Sequence, residues 1–518
     1  MKQALRLIGI MTIFALGPAA LQASQRISFE ISVHESFRKA WPSSGRLFIL
    51  FTRQKNREPR RHVGWAGPRA EPFFARDVQN WHPEQVKSIG KGAVGFPLER
   101  LEELEPGVYY VQALYDVDTV YSYINAPGNY YSSVKRIEIS RDALQEFQLV
   151  LDHQIPPETL PQETRYVKFV RIQSSILSQF WGRPVYLRAG IILPKSFDED
   201  KRRKYPVRYH IGGYHSRYFR VLRLMEKKSA FRRMWLSPEC PQMIYVHLDG
   251  EGPFGDPYQI NSANNGPYGD AVVQELIPYI EQKFRAVQRP AGRFLDGAST
   301  GGWVALALQI FYPDSFNGAW SFCADPVDFR YFQLVNVYED SNAFINEYGY
   351  ERPSMRDTDG EPRFSIRREI MMERVLGRGN TFATSGGQWG AWNAVFSPRG
   401  ANGWPMEIWD PWTGAIDREV ARAWEKYDLR LILERNWSTL GPKLAGKLHI
   451  WMGDMDHFYL DNAMRLLEAF LRQADQPKSD AEIHFAPDEG HCWMGISELD
   501  MMRAMVTRWK ATGGGEGE

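Results

Sequence analysis

Apolar positions change their spacing along this chain. From residue 25 to about 155 they fall into short runs with period-two alternation or β-branched and aromatic bias: Ile27 to Val33, Leu47 to Phe51, Val108 to Leu114, Val134 to Ile139 and Phe147 to Leu151. Alternation turns one face of each run inward, which predicts strands. Pro42 to Gly45, Pro106-Gly107 and Pro127-Gly128 separate them, the turn chemistry of a small antiparallel β-sandwich. No nucleophile with a partner base stands out in this region. Such a domain either binds a carbohydrate or braces its neighbour, and bracing is the expectation.

After a Pro-rich joint at Ile155 to Pro161, apolar runs alternate with helical stretches, the signature of βαβ units around a mostly parallel sheet. Strands are predicted at Val185 to Leu193, Val207 to Ile211, Met243 to Leu248, Arg293 to Leu295, Ala319 to Phe322, Leu448 to Met452 and Ala481 to Phe485. Ala271 to Phe284 places Val272, Val273, Leu276, Ile277, Ile280 and Phe284 at helical spacing, with Pro278 expected to kink the helix or split it in two.

The first two dozen residues read differently. Lys2 and Arg6 precede an apolar stretch from Leu7 to about Ala20, and small residues follow around Ala23. This predicts a cleaved secretory signal over 1–23, because Pro18 interrupts a run already too short to span a bilayer. The protein is expected to be exported, periplasmic or extracellular, without a stable membrane anchor.

At 518 residues the chain exceeds the size at which one core stops growing, so several domains are expected. Its 63 Lys and Arg against 62 Asp and Glu leave a net charge of +1, which excludes nucleic acid or an anionic surface as a bulk electrostatic partner. Three cysteines, Cys240, Cys323 and Cys492, allow at most one bridge, and the fold is not expected to depend on disulfides. The Gly- and Glu-rich end, 511–518, reads as a disordered tail. Nothing in the sequence sets the oligomeric state.

The chemistry begins at Gly297-Ala298-Ser299-Thr300-Gly301, between a short apolar strand and a helical stretch, Trp303 to Phe311. The pentapeptide alone is a weak signal; its position is the stronger one. A tight strand-to-helix turn strains the nucleophile's backbone, and glycines beside it avoid collision with the neighbouring strand and helix. A serine hydroxyl also needs a base, itself oriented by a carboxylate. His491, in Gly490-His491-Cys492-Trp493, follows the last predicted strand and precedes the helical stretch Leu499 to Trp509; Gly453-Asp454-Met455-Asp456 follows the strand before it. Ser299, Asp456, His491 is the chain order of an α/β-hydrolase sheet. Gly212-Gly213-Tyr214, after Val207 to Ile211, can supply an oxyanion donor from the amide of Tyr214 or else Gly213, beside the amide of Thr300.

These residues resemble the "Putative esterase" family of α/β-hydrolases, which includes esterase D-type enzymes, feruloyl and acetyl-xylan esterases, enterochelin esterases and mycolyltransferases. The resemblance covers about 165 to 325 and 440 to 510. Gly182-Arg183-Pro184-Val185, Ile191-Ile192-Leu193-Pro194, Tyr205-Pro206-Val207 and Glu275-Leu276-Ile277-Pro278-Tyr279-Ile280 carry it, with Gly297 to Gly302, Gly453 to Asp456 and Gly490-His491. It implies Ser299 as nucleophile, His491 as base and Asp456 as acid, with Asp454 as the fallback carboxylate. Some feruloyl esterases and tannases outside this group tie a Cys before the nucleophile to a Cys after the histidine. Here Ala298 precedes Ser299, so that bridge is impossible, and Cys492 is expected to be a small packed residue.

A second departure is the insertion at about 326–440, a candidate lid. It holds Trp389, Trp392, Trp404, Trp409, Trp412, Trp424 and Trp437. Flat indoles can stack on a sugar or phenolic ester, or form a lid's own core; both readings stand on the sequence. Trp303, Trp389 and Trp392 are candidate substrate contacts. Asp454, Asp456 and His457 could ligate a cation, and Asp357-Thr358-Asp359-Gly360 looks like part of a calcium loop, but the remaining ligands are missing, so no metal or cofactor is expected.

The expectation is therefore an α/β-hydrolase domain over 165–510 with an N-terminal β-sandwich over 25–155, working as an exported serine esterase on a small-molecule or glycan ester. The alternatives are a carbohydrate-binding protein on an inactive hydrolase scaffold, or a peptidase or acyltransferase with the same triad.

Overall fold

Residues 26–140 and 144–514 are described by a computed structural model. The expected signal segment, 1–23, lies outside them; of the expected tail, residue 511 ends the last helix and 512–514 follow it, while 515–518 lie outside.

Eight strands form the central sheet: β1 (Val167–Ser174), β2 (Val185–Ile192), β3 (Val207–Ile211), β4 (Ile244–Leu248), β5 (Arg293–Ala298), β6 (Ala319–Phe322), β7 (Leu448–Gly453) and β8 (Glu482–Ala486). Their spatial order is β1-β2-β4-β3-β5-β6-β7-β8. β1–β2 and β2–β4 pair antiparallel, and every later pair is parallel. All residues of β4 and β6 are buried, because helices cover both faces of the parallel part, and their sequences are accordingly apolar runs without alternation. This is an α/β-hydrolase sheet. β1 was not among the predicted strands. It is an edge strand whose burial alternates irregularly, so its sequence carries little periodicity.

Under the sheet's centre, Arg208 of β3 donates to Asp296 of β5 through Nε at 2.8 Å and a terminal nitrogen at 2.7 Å, both side chains being buried. Burial works against the charge on Asp296, but the guanidinium and His210 outweigh it and hold the carboxyl well below its ordinary range. The segment around Pro278 runs as a short α-turn, Tyr268–Ala271, a π-helical stretch, Val272–Leu276, and a helix, Ile277–Lys283. Widening the turn just before Pro278 accommodates a residue that lacks an N–H, where a kink or two segments were expected.

The N-terminal region is a nine-stranded sheet, mostly antiparallel, in which Arg26–Val33 pairs parallel with Leu144–Gln154. The sheet turns over on itself: Phe29 and Phe51 sit four strands apart along it, yet their ring centroids are 5.6 Å apart. Trp81, Val111 and Tyr115 fill the same interior. Phe73–Val78 and three short strands, Lys87–Ile89, Val94–Phe96 and Tyr130–Ser132, complete it without having been predicted.

Between β6 and β7 the insertion folds around α2 (Ile366–Leu376) and α3 (Gln388–Phe396). Phe48, Leu50, Phe73 and Phe96, on the outer face of the N-terminal sheet, share an apolar cluster with Met372 and Val375 of α2. Buried Arg46 completes the joint, donating from Nε to the carbonyl of Val375 at 3.0 Å and from a terminal nitrogen to Asn380 Oδ1 at 2.9 Å. A cation at the C-terminal end of α2 meets carbonyls that have no partner within the helix. The N-terminal sheet thus carries the insertion.

Candidate active site

Ser299 stands between the end of β5 and the start of α1 (Thr300–Phe311) with φ 59° and ψ −127°. No L-residue takes this conformation without cost, and it persists because the flanking chain over-determines it. A Cβ on Gly301 would lie 2.0 Å from the carbonyl oxygen of Ile211, and one on Gly297 would lie 2.3 Å from that of Gly301. Only glycine lets β3, β5 and α1 approach so closely.

His491 and Asp456 come from the loops after β8 and β7. Nδ1 of His491 lies 2.6 Å from Oδ2 of Asp456, whose side chain is fully buried. The other oxygen of Asp456 accepts from the amide of Phe458 at 2.8 Å, which fixes the carboxylate in its loop. Burial disfavours an imidazolium at His491, but Asp456, with a smaller contribution from Cys492, outweighs this and raises its pKa well above the usual value. Asp454 is turned elsewhere: its Oδ1 accepts from the amide of Asp488 at 2.8 Å.

Ser299 and His491 line one cavity of about 750 Å³. Gly213 and Tyr214 stand on its wall, and a Cβ placed on Gly213 would be 3.7 Å from that of Ser299. Thr300 opens α1, so its N–H belongs to the first-turn donors that a helix leaves without an internal partner. Its hydroxyl donates to buried Asp325 at 3.0 Å. A serine hydroxyl and an imidazole held by a carboxylate on one cavity, with a helix N-terminus beginning directly after the serine, are parts that acyl transfer uses.

The indoles are placed differently from expectation. Trp303 is fully buried and donates to the carbonyl of Pro326 at 3.0 Å; Trp389 is buried and donates to Glu369 at 2.9 Å. Neither lines the cavity, so the expectation that they contact substrate is corrected. Trp392 does line it, with its N–H on Asp325 at 3.0 Å. Trp389, Trp392, Trp409 and Trp424 pack with Phe332 and Phe396 as the insertion's own core, since a segment poor in aliphatic residues has few other large apolar groups to bury.

Several cavity residues were missed by sequence reasoning. Trp65, which is exposed, and Arg61, Ser122 and Tyr123 reach it from loops of the N-terminal region. The one signal was a tryptophan set between glycines in Gly64-Trp65-Ala66-Gly67, a loop able to present an indole. Arg356 was also missed. Its Nε donates to the carbonyl of Asp456 at 2.9 Å, and a terminal nitrogen reaches Asp461 at 3.1 Å. The neighbouring Asp357-Thr358-Asp359-Gly360 is the turn of a β-hairpin, Pro353–Arg356 with Pro362–Ser365, in which Asp357 pairs with Arg363. Cys492 is not a packed residue as expected: it opens on the cavity, and its sulfur lies 2.8 Å from that of Cys323.

A family model described as "Putative esterase" matches residues 186–489, more than half of the chain, including Ser299 and Asp456 and ending two residues before His491. The chain belongs to that family. As a member it is an ester hydrolase of the carboxylesterase kind. Among solved structures it is similar to a ferulic acid esterase at 18% identity and TM-score 0.40, covering 66% of this chain and 98% of that one. It is also similar to the fluorophosphonate-binding serine hydrolase F of Staphylococcus aureus at 14% and 0.38, covering 66% and 98%. A third is an S-formylglutathione hydrolase from Agrobacterium tumefaciens at 14% and 0.36, covering 68% and 99%. No curated relative matches the sequence. Among the described residues, no helix of this esterase is long and apolar enough to cross a membrane.

Proposed function

We propose that this esterase is exported and cleaves carboxylic esters of a phenolic or carbohydrate-linked type through a Ser299-His491-Asp456 triad and an acyl-enzyme. The observation that carries the reading is Ser299 on its strained turn in the same cavity as His491, whose Nδ1 is held 2.6 Å from a buried carboxylate. His491 takes the proton of Ser299 as the hydroxyl attacks the ester carbonyl. Asp456 keeps the ring in the tautomer that accepts at Nε2 and stabilises the charge that forms. The amides of Thr300 and of Tyr214 or Gly213 receive the oxyanion. His491 then protonates the leaving alcohol, and water, activated by the same base, releases the acid.

A cavity of about 750 Å³ suits a small ester of a few rings. Trp65, Phe364, Trp392 and Phe458 give it aromatic walls, which favours a flat acyl or alcohol group. Export rests on the N-terminal sequence pattern alone. The test is turnover of matched phenolic ester and anilide substrates. Ester cleavage without anilide cleavage is the expected result; faster anilide cleavage would make the protein a peptidase, and turnover of neither would favour a binding protein.

A further inference from the structure

Beside the triad lies a chemical group the esterase mechanism leaves unused. Cys323 follows β6 directly and is buried, while Cys492 follows His491 in the loop after β8. Their sulfurs are 2.8 Å apart, closer than unbonded sulfurs pack. Both residues have positive φ, 41° and 67°, so two separate loops adopt costly backbone conformations where the sulfurs meet. The amide of Ser299 points at Cys323 Sγ at 3.3 Å, which puts the pair against the nucleophile's turn.

We propose that Cys323 and Cys492 form a redox pair that closes into a disulfide beside the active site, tying the His491 loop to the end of β6 against the Ser299 turn and switching the enzyme on. Its effect on activity rests on the esterase reading above; the cross-link itself does not. A metal shared by Cys323, Cys492 and His491 fits less well, because two thiolates on one tetrahedral zinc sit about 3.8 Å apart.

The chemistry is thiol–disulfide exchange with an external disulfide of low molecular mass. The Cys492 thiolate, reached through the cavity, attacks one sulfur of that disulfide and expels a first thiolate. Cys323 gives up its proton and attacks Cys492 Sγ in the mixed disulfide, expelling a second. The Cys492 thiolate and the Cys323 thiol are oxidised to one disulfide and the external disulfide is reduced to two thiolates, of which one takes the proton released by Cys323 and the other takes from solvent the proton that Cys492 had given up.

Charge explains why the dithiol state is the inactive one. A hydrogen bond from Cys323 stabilises the Cys492 thiolate against burial, and with the adjacent His491 brings the thiol down to about 5. The anion then faces His491 and adds to the hold of Asp456 on its proton, with buried Asp325 the remaining acid nearby. A protonated imidazole cannot accept from Ser299. The disulfide carries no charge, so closing it removes that contribution and frees the base.

The test uses the purified full-length protein. After equilibration with oxidised glutathione it is denatured without reductant, alkylated and mapped by mass spectrometry. Alkylation of Cys240 alone, with a Cys323–Cys492 linked peptide, is expected; alkylation at all three cysteines overturns the proposal. In parallel, kcat/KM on p-nitrophenyl acetate at pH 7 should fall about tenfold in dithiothreitol and recover in oxidised glutathione, whereas Cys492→Ser should not respond to either. Equal activity of the linked and reduced forms overturns the switch. An enzyme inert in both states with the link formed leaves the cross-link standing and shows failure of the esterase reading instead.

Discussion

At the residue scale, activity turns on where one proton resides. His491 is raised above the ordinary imidazole value because Asp456, and behind it Cys492, outweigh the effect of burial. Only the neutral ring can act as base, so kcat/KM should be flat at high pH and fall as pH drops through the His491 pKa. The midpoint is expected above the roughly 6.5 of a free histidine. A pH profile measured on the reduced protein checks this, and a midpoint below 6 would contradict it. Asp456→Asn removes the charge that orients the ring and should lower kcat by on the order of ten-thousand-fold with the fold intact. Asp454→Asn should do little, because Asp454 is occupied with the amide of Asp488 rather than with His491. Arg356 holds the carbonyl of Asp456 and does not line the cavity. Arg356→Ala is expected to lower kcat by about a hundredfold through misplacement of the acid loop while leaving KM nearly unchanged. A change confined to KM would place Arg356 in substrate binding instead.

At the scale of elements, much of the site could be read because each part has a local cause that leaves a trace in sequence. The turn at Ser299 needs small neighbours, hence Gly297 and Gly301; the parallel strands need apolar faces on both sides, hence runs such as Ile244 to Leu248. What could not be read depends on contacts far apart in the chain. Arg46 looks like an alternating polar residue of a strand until α2 ends against it, 329 positions later. Cys323 has no motif around it and gains meaning only when β8 delivers Cys492 beside it. The indoles of the insertion misled for the same reason, since composition says that Trp is present and not which face is buried. The Arg208–Asp296 pair gives this scale its own test. Asp296→Asn leaves a buried guanidinium short of a counter-charge and should cost about 3–5 kcal/mol in urea denaturation. Because its pKa is depressed in the fold, Asp296 contributes stability that is present above the ordinary carboxylate pKa of about 3.9 and lost as pH falls through its folded value. The stability difference between Asp296→Asn and the unaltered protein should therefore shrink in acid.

At the scale of the whole molecule, the cavity is a joint product of three parts. The α/β-hydrolase sheet supplies Ser299, Asp456 and His491, the insertion supplies Trp392 and Phe364, and the N-terminal sheet supplies Trp65 while holding α2 from behind. Arg46→Ala should accordingly loosen the insertion before it unfolds the hydrolase sheet, seen as earlier cleavage within 326–440 in limited proteolysis, and cleavage unchanged from the unaltered protein would refute this coupling. Trp65→Ala should raise KM for an aromatic ester more than for an acetyl ester, since it removes a wall and no reacting group. All of this depends on one serine being the nucleophile. The most direct measurement is fluorophosphonate labelling of the purified protein beside Ser299→Ala, with the modified peptide identified by mass spectrometry. Label on Ser299 that is absent from the variant is the predicted result, and a label on another residue that persists in Ser299→Ala would contradict the account.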